Sequence, residues 1–415
     1  MIGVGSRAAS DLIAFEDPRR EGRALAAPWR GWAGLDLAPL DPERERRYWV
    51  ALSLVPGVGP VAFGRLLLRY GSAERAWQAG SDLLQVPDRM PPDAGAALAR
   101  LRREGAATAM ARIQRAVAAA GGGVVTALDA GYPPALRVAD PRPAVLYVRG
   151  EQEAFFGPAV AVVGTRRASG YGRSSTVQIA DALARAGVAV VSGLALGIDA
   201  EAHGAALEAG GRSIAVLPSP LDRIYPPRHR GLAERLVDAG GALVSELPPG
   251  QLPERPDFAR RNRIIAGLAS ATVVVEAPDR SGALLTAAAA VDLGRDVYAV
   301  PGPMDAATSR GCNRLVADHI ASLVTSPAAL LASLGLPAAG ADSIGVGALS
   351  DPEGMVLARL LGRPASVDEL LGPTRLSPGT LAGALTLLEA RGLVTSYGGA
   401  TYHPTLMARR MGRPR

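Results

Sequence analysis

The 415-residue chain contains no lysine. Every basic side chain is therefore arginine, so the choice of arginine at one site carries no information and only position does. Cysteine is reduced to Cys312, which excludes an intramolecular disulfide and a cysteine-built zinc site and favours a reducing compartment. The N-terminus lacks an apolar signal core, and no stretch offers the ~18 apolar residues of a membrane span. The expectation is a cytoplasmic protein without membrane attachment. Aromatics make up only 4%, and the four tryptophans, Trp29, Trp32, Trp49 and Trp77, all lie near the N-terminus, which marks a compositional break. What remains is globular: 48% hydrophobic and 20% charged residues, in a chain long enough for two or three domains. A net charge of +6 suggests an anionic partner.

Residues 1–45 are rich in Arg, Pro and Ala without periodicity and read as a tail. Residues 46–118 read as a small helical domain of the SAM or helix-hairpin-helix type, with a Pro-Gly-Val-Gly turn from Pro56 to Gly59 between two apolar helical runs. That turn serves equally as a phosphate contact or a plain connector. From 119 to 328 eight apolar runs, among them "AVAVVGT", "GVAVVSG", "RSIAVLP" and "ATVVVEA", alternate with alanine-rich helices. Continuous hydrophobicity means strands buried on both faces, hence a doubly wound α/β core with a parallel sheet. A low-complexity linker at 329–350 precedes a winged-helix pattern at 351–406 and a basic tail at 407–415. Ser366 with Glu369 forms a capping box, Ser377 with Pro378 opens the third helix, and Gly392 ends it before a hairpin. That third helix lacks the basic and amide side chains that read bases, so protein contact or weak phosphate contact is expected of it.

Ligands of open parallel sheets sit beyond the carboxyl ends of the strands. Arg166 and Arg167 follow one strand, Arg223 and Arg228 another, and Arg280 a third. Arg260, Arg261 and Arg263 read as the opening of a helix, where cations oppose the macrodipole and so call for a functional explanation. Two glycine-rich turns, "GTRRASGYG" at 164–172 and "SGLALGID" at 192–199, would let backbone N–H groups approach an anion. Several phosphate-sized subsites point to a polyanion, with Phe258 or Tyr171 available to stack on a base. A dinucleotide enzyme is disfavoured, since neither G-x-G-x-x-G nor a Walker A motif is present. A Ser192, Asp199, His203 triad is disfavoured because Asp199 and His203 are expected to pair locally and Ser192 lacks a nucleophile elbow. Glu276, at a strand end, is expected to form an orienting ion pair.

The blocks "VVGTRRASGYG", "SGLALGIDAEAH", "FARRNRIIAGLASATVVVEAPDRSGALLT" and "SRGCNRL", in this order, resemble the DprA/Smf family of DNA-processing proteins over residues 124–325. The resemblance implies an extended Rossmann-like core between a small helical domain and a winged helix. It further implies a protein that binds single-stranded DNA and loads the RecA recombinase during natural transformation, without catalytic residues, metal or cofactor. A homodimer through the Rossmann-like domain is implied, and a single-strand-binding protein is a further candidate partner. The DNA site expected from residues and resemblance together comprises Gly164, Thr165, Arg166, Arg167, Ser169, Gly193, Arg228, Phe258, Arg260, Arg261, Asn262 and Arg263, with Asp199 and Glu276 in orienting roles. Pro218, Ser219, Pro220, His229 and Ala259 depart from the family pattern around that pocket. The alternative is a nucleotide-binding enzyme of the phosphoribohydrolase type, with Glu276 as general acid or base.

Overall fold

The computed structural model describes residues 41–87, 90–336, 349–397 and 401–404. Most of the N-terminal tail, the core of the linker, the Gly398–Gly399 turn and the C-terminal basic tail lie outside them. Helices Pro42–Ser53, Pro60–Tyr70, Ala73–Gln78, Ala94–Glu104 and Ala106–Ala119 form the N-terminal module. The first begins inside the stretch read as tail: Asp41 caps it by accepting the Arg44 N–H at 2.9 Å, and Pro42 stands at its first position. Trp49 and Phe63 stack tilted at 4.9 Å in the interior of this module. That interior runs on without a break into the core of the sheet, and Arg46 fastens the two by donating to the Val124 carbonyl at 2.5 Å and pairing with Asp129 at 3.1 Å.

The central sheet has nine strands: β1 (Gly122–Thr126), β2 (Val145–Gly150), β3 (Ala159–Val163), β4 (Ala189–Ser192), β5 (Ser213–Leu217), β6 (Ala242–Ser245), β7 (Ala271–Val274), β8 (Asp296–Ala299) and β9 (Ser322–Leu323). Their spatial order is β1-β2-β6-β5-β4-β3-β7-β8-β9. From β6 across to β9 every pairing is parallel. The reading of one parallel sheet needs correction at its edge, because β2 runs antiparallel to β6 and β1 antiparallel to β2. Apolar runs report burial, which β2 has over Val145–Val148, but carry no record of direction. Along β3, Ala161 and Val163 enter one apolar layer while Val160 and Val162 enter the other. Both faces are thus covered, as the parallel arrangement requires.

Helix Pro327–Ser333, capped by Ser326, occupies the start of the segment read as linker. The C-terminal domain has its own core around Leu360, Leu381 and Leu388. Helices Asp351–Gly362, Val367–Thr374 and Pro378–Ala390 pack with the three-stranded sheet β10 (Ala365–Ser366), β12 (Thr401–Pro404) and β11 (Val394–Tyr397). Ser350 with Glu353, and Ser366 with Glu369, close capping boxes. On the third helix the exposed positions include Thr380, Ala382, Gly383, Thr386, Leu387 and Glu389, which present no arginine or amide to a base edge.

Helix Arg255–Leu268 corrects a second expectation. It starts at a capping box between Glu254 and Asp257, five residues before Arg260. Arg260, Arg261 and Arg263 therefore sit in its middle, where the macrodipole exerts little force. Their placement needs another explanation.

Candidate nucleic-acid interface

The first strand of the parallel set, β3, pairs with β4 on one side and β7 on the other, so the chain turns outward in opposite directions at β3 and β7. A cleft of about 450 Å³ opens at their carboxyl ends, the place such sheets reserve for ligands. The loop after β3 supplies Gly164, Thr165, Arg166 and Arg167; helix Arg255–Leu268 supplies Arg255, Phe258, Arg261 and Asn262; the loop after β7 supplies Arg280, Ser281 and the start of helix Gly282–Asp292. Five arginines line the cleft against one carboxylate, Asp199. Beside it lies a smaller, apolar hollow between Arg166, Leu196, Pro218, Tyr225 and Phe258. The Arg166 guanidinium stands 5.5 Å from the Phe258 ring centre, and Tyr225 meets the same ring edge-on at 5.5 Å. A planar cation and two rings make a surface on which a base can stack.

Arg261 is 7% exposed. Its Nη1 donates to the carbonyls of Gly193 at 2.6 Å and Val216 at 2.5 Å, and its Nε to Asn262 Oδ1 at 3.2 Å. Asn262 in turn donates to the Gly282 carbonyl at 3.1 Å, tying the arginine to the next helix. Gly193 is required here, since a Cβ would collide with the guanidinium. Burial lowers the Arg261 pKa to about 10, partly opposed by the Asp199 charge, so the group stays cationic at neutral pH. Asp199 accepts the Gly193 and Ala195 N–H groups at 3.2 and 3.3 Å, and burial raises its pKa. Among the described residues Arg261 has no ion-pair partner, and its Nη2 makes no hydrogen bond. A buried cation left in that state invites an anion.

The glycine-rich turns offer only some of the N–H groups expected of them. Glu276, 2% exposed, accepts the Ser169 N–H at 2.8 Å, Thr165 Oγ1 accepts that of Arg167 at 3.2 Å, and Ser169 Oγ that of Gly172 at 3.0 Å. With Asp199 accepting the Gly193 and Ala195 N–H groups of the second turn, internal oxygens occupy part of each turn's donors, whereas no acceptor meets the Gly170 and Tyr171 N–H groups among the described residues. The ion pair expected of Glu276 is absent among the described residues; its carboxylate orients the Arg166 loop through the backbone. Asp199 and His203 do not pair either. His203 Nδ1 contacts Ser213 Oγ at 2.6 Å, and Ser192 Oγ donates to the Val162 carbonyl at 2.6 Å, so no triad forms. Cys312 is buried and its thiol pKa is pushed up to about 12.

Burial, assisted by the positive charges of His229 and Arg261, pushes the His203 pKa down to about 3, below the ~6.5 of an unfolded chain. The unfolded state therefore takes the proton first: stability is complete above pH ~6.5 and is lost as pH falls from there toward 3. His203→Asn, which keeps a polar atom at the Nδ1 position, should flatten the fall of Tm between pH 7 and 5. An unchanged slope would contradict this assignment.

Not every expected site residue reaches the cleft. Arg228 is exposed on the turn Pro227–His229 and does not line the cleft. Arg260 is exposed and pairs with Asp257 at 3.3 Å. Ser169 serves as a helix cap. Tyr171, the other stacking candidate, donates its hydroxyl to the Pro301 carbonyl at 2.7 Å. Arg263 points elsewhere: Nη2 contacts both Glu246 oxygens at 2.6 and 2.5 Å, and Nη1 donates to the Pro141 carbonyl at 3.3 Å. Arg263→Ala should therefore leave DNA affinity within about twofold while lowering unfolding free energy by roughly 1 kcal/mol, the scale of a half-buried ion pair. Parallel binding and urea-unfolding curves check both halves.

Arg280, placed by the sequence at a strand end, belongs to the cleft, and so does Arg255, which the sequence alone did not single out. For Arg255 a helical wheel holds the signal: at 3.6 residues per turn, 255, 258, 259, 262 and 265 share a face, 261 and 263 lie about 40° beyond its two ends, and 260 lies farther round.

Residues 123–335, more than half of the chain, match the family described as DNA recombination-mediator protein A, and residues 346–400 match the DprA winged helix domain. The chain is 34% identical over 397 residues to Protein Smf of Synechocystis, a match covering 86% of this chain and 98% of that protein. The chain belongs to the DprA/Smf family. It is also 46% identical over 203 residues to Protein Smf of Escherichia coli, spanning 49% of this chain and 54% of that one. The crystal structure of DNA processing protein A (DprA) from Streptococcus pneumoniae superposes with a TM-score of 0.57 at 32% identity, over 69% of this chain and 95% of that one. Membership places this chain among DNA-binding recombination mediators that carry a winged helix. Among the described residues no helix is long and apolar enough to cross a membrane.

Proposed function

We propose that this chain binds single-stranded DNA in the cleft beyond β3 and β7 and loads the RecA recombinase onto it during natural transformation, with no catalysis of its own. Arg261 is the observation that carries the reading: a buried guanidinium with no carboxylate in ion-pair contact among the described residues, facing a cleft with Arg166, Arg167, Arg255 and Arg280. Phosphates are the natural counter-ions, and the hollow beside Arg166 and Phe258 takes a base. Unstacked bases are accessible only in single strands, so the arrangement favours these over duplex. The protein acts as a homodimer through the Rossmann-like core, in the cytoplasm, on strands that a single-strand-binding protein also covers. The nucleotide-enzyme reading gains no support from Glu276, whose carboxylate is buried and bonded to the Ser169 N–H.

A RecA filament-assembly assay on single strands pre-coated with single-strand-binding protein tests the loading step. The reading expects faster assembly with the wild type and none of that gain with Arg166→Ala. Equal assembly rates with and without the protein would sink it. Sedimentation of the free protein tests the dimer.

A further inference from the structure

The cleft has one helix start whose surroundings are not spoken for. Helix Gly282–Asp292 opens onto it through Ser281, Gly282 and Ala283, and the only side-chain cap is Ser281 Oγ on the Ala283 N–H at 3.3 Å, a long contact. Space beside Gly282 is open. A second, independent feature lies one turn further on. Thr286 lines the cleft, is 2% exposed, and its hydroxyl has no hydrogen-bond partner among the described residues. The hydroxyl oxygen is not one of the fully buried unpartnered atoms, so it is open to a ligand in the cleft. Arg261 Nη2, on a side chain that is itself 7% exposed, is likewise unpartnered. Arg280, exposed at the mouth, forms no ion pair among the described residues.

The geometry points to a second phosphate subsite, separate from the base-stacking hollow, in which one phosphate group sits at the N-terminus of helix Gly282–Asp292 between Arg261 Nη2, the Thr286 hydroxyl and Arg280. Helix dipole, guanidinium and hydroxyl together supply what a phosphate needs. The group bound is either an internal phosphodiester of the strand or its terminal phosphomonoester. The subsite rests on the single-strand reading, from which the experiment separates it.

The test measures binding of two labelled dT oligonucleotides, one with a 5′-hydroxyl and one with a 5′-phosphate, to the wild-type chain and to Arg280→Ala, Thr286→Val and Arg166→Ala. Thr286→Val keeps the buried shape, and Arg280→Ala alters only an exposed side chain, so folding survives at least one of the changes. Arg280→Ala and Thr286→Val are each expected to weaken binding by about 10-fold or more, the effect of one hydrogen bond to a charged group. Arg280→Ala should also reduce the log–log salt slope by about 0.7, one single-strand phosphate, while Thr286→Val leaves it unchanged. Equal loss on both oligonucleotides supports a phosphodiester, and loss confined to the 5′-phosphorylated one supports a terminal phosphate. Wild-type affinity and slope in both variants, with Arg166→Ala impaired, overturns the subsite and leaves the single-strand reading standing. Unimpaired binding by all three variants overturns both.

Discussion

Arg261→Ala should lower the free energy of unfolding by about 3 kcal/mol and abolish measurable single-strand binding at physiological salt. The first effect follows from the carbonyls of Gly193 and Val216, which lose their shared donor inside the protein and cost about 1–3 kcal/mol each when left unpaired. The second follows from loss of the buried cation on which the proposed phosphate contact rests. Arg261 thus works as both beam and ligand, and Arg261→Ala alone cannot separate the roles. Gly193→Ala provides the second handle: an added methyl displaces the guanidinium without removing its charge, so binding should fall at least as steeply as stability. Urea unfolding, with binding measured well below each variant's Tm, reads both. A stable Arg261→Ala variant with wild-type affinity would show that the buried guanidinium is neither.

Phe258→Ala and Arg166→Ala should each weaken oligo-dT binding by about 10-fold to 100-fold, the range expected from one stacked base at about 1–3 kcal/mol. Their salt responses should differ. Arg166 carries charge to the strand, so its loss removes about 0.7 from the log–log slope. Phe258 carries none, and its variant should show a parallel, displaced line. Abasic oligonucleotides extend the contrast: the Phe258 variant should bind them as the wild type does, since the ring has no base to meet. Equal slopes in both variants would mean that the Arg166 guanidinium, 5.5 Å from the ring, only props Phe258 in place.

The parallel core was legible because its strands are apolar along their whole length, as β3 and β5 are, and a run of that kind has few other homes. Direction was not legible. β2 begins with the same kind of apolar run, Val145–Val148, yet β1 and β2 run antiparallel, and both join the core of the N-terminal helices. In the cleft, Arg166, Phe258 and Arg261 were recognisable from their motif blocks, yet adjacency in sequence misled for Arg263, one residue beyond Asn262 but turned by about 100° on the helix. The error over the glycine-rich turns has a different origin. Their donors look free locally, and the carboxylate that occupies Ser169 N–H, Glu276, arrives from another strand. Long-range satisfaction of backbone groups leaves no mark within the turn itself. Asp199 was closer to hand, six residues after Gly193, but nothing in its spacing distinguishes a backbone acceptor from a partner for His203.

The most direct test of the central claim is fluorescence anisotropy of a labelled oligo-dT and of a duplex of equal length, titrated with the wild-type protein across a series of salt concentrations. A single-strand preference, with affinity falling linearly in log–log coordinates at about 0.7 per phosphate engaged, is the predicted result. Equal affinity for the two forms, or binding indifferent to salt, would contradict a cleft built to hold the phosphates and bases of a single strand.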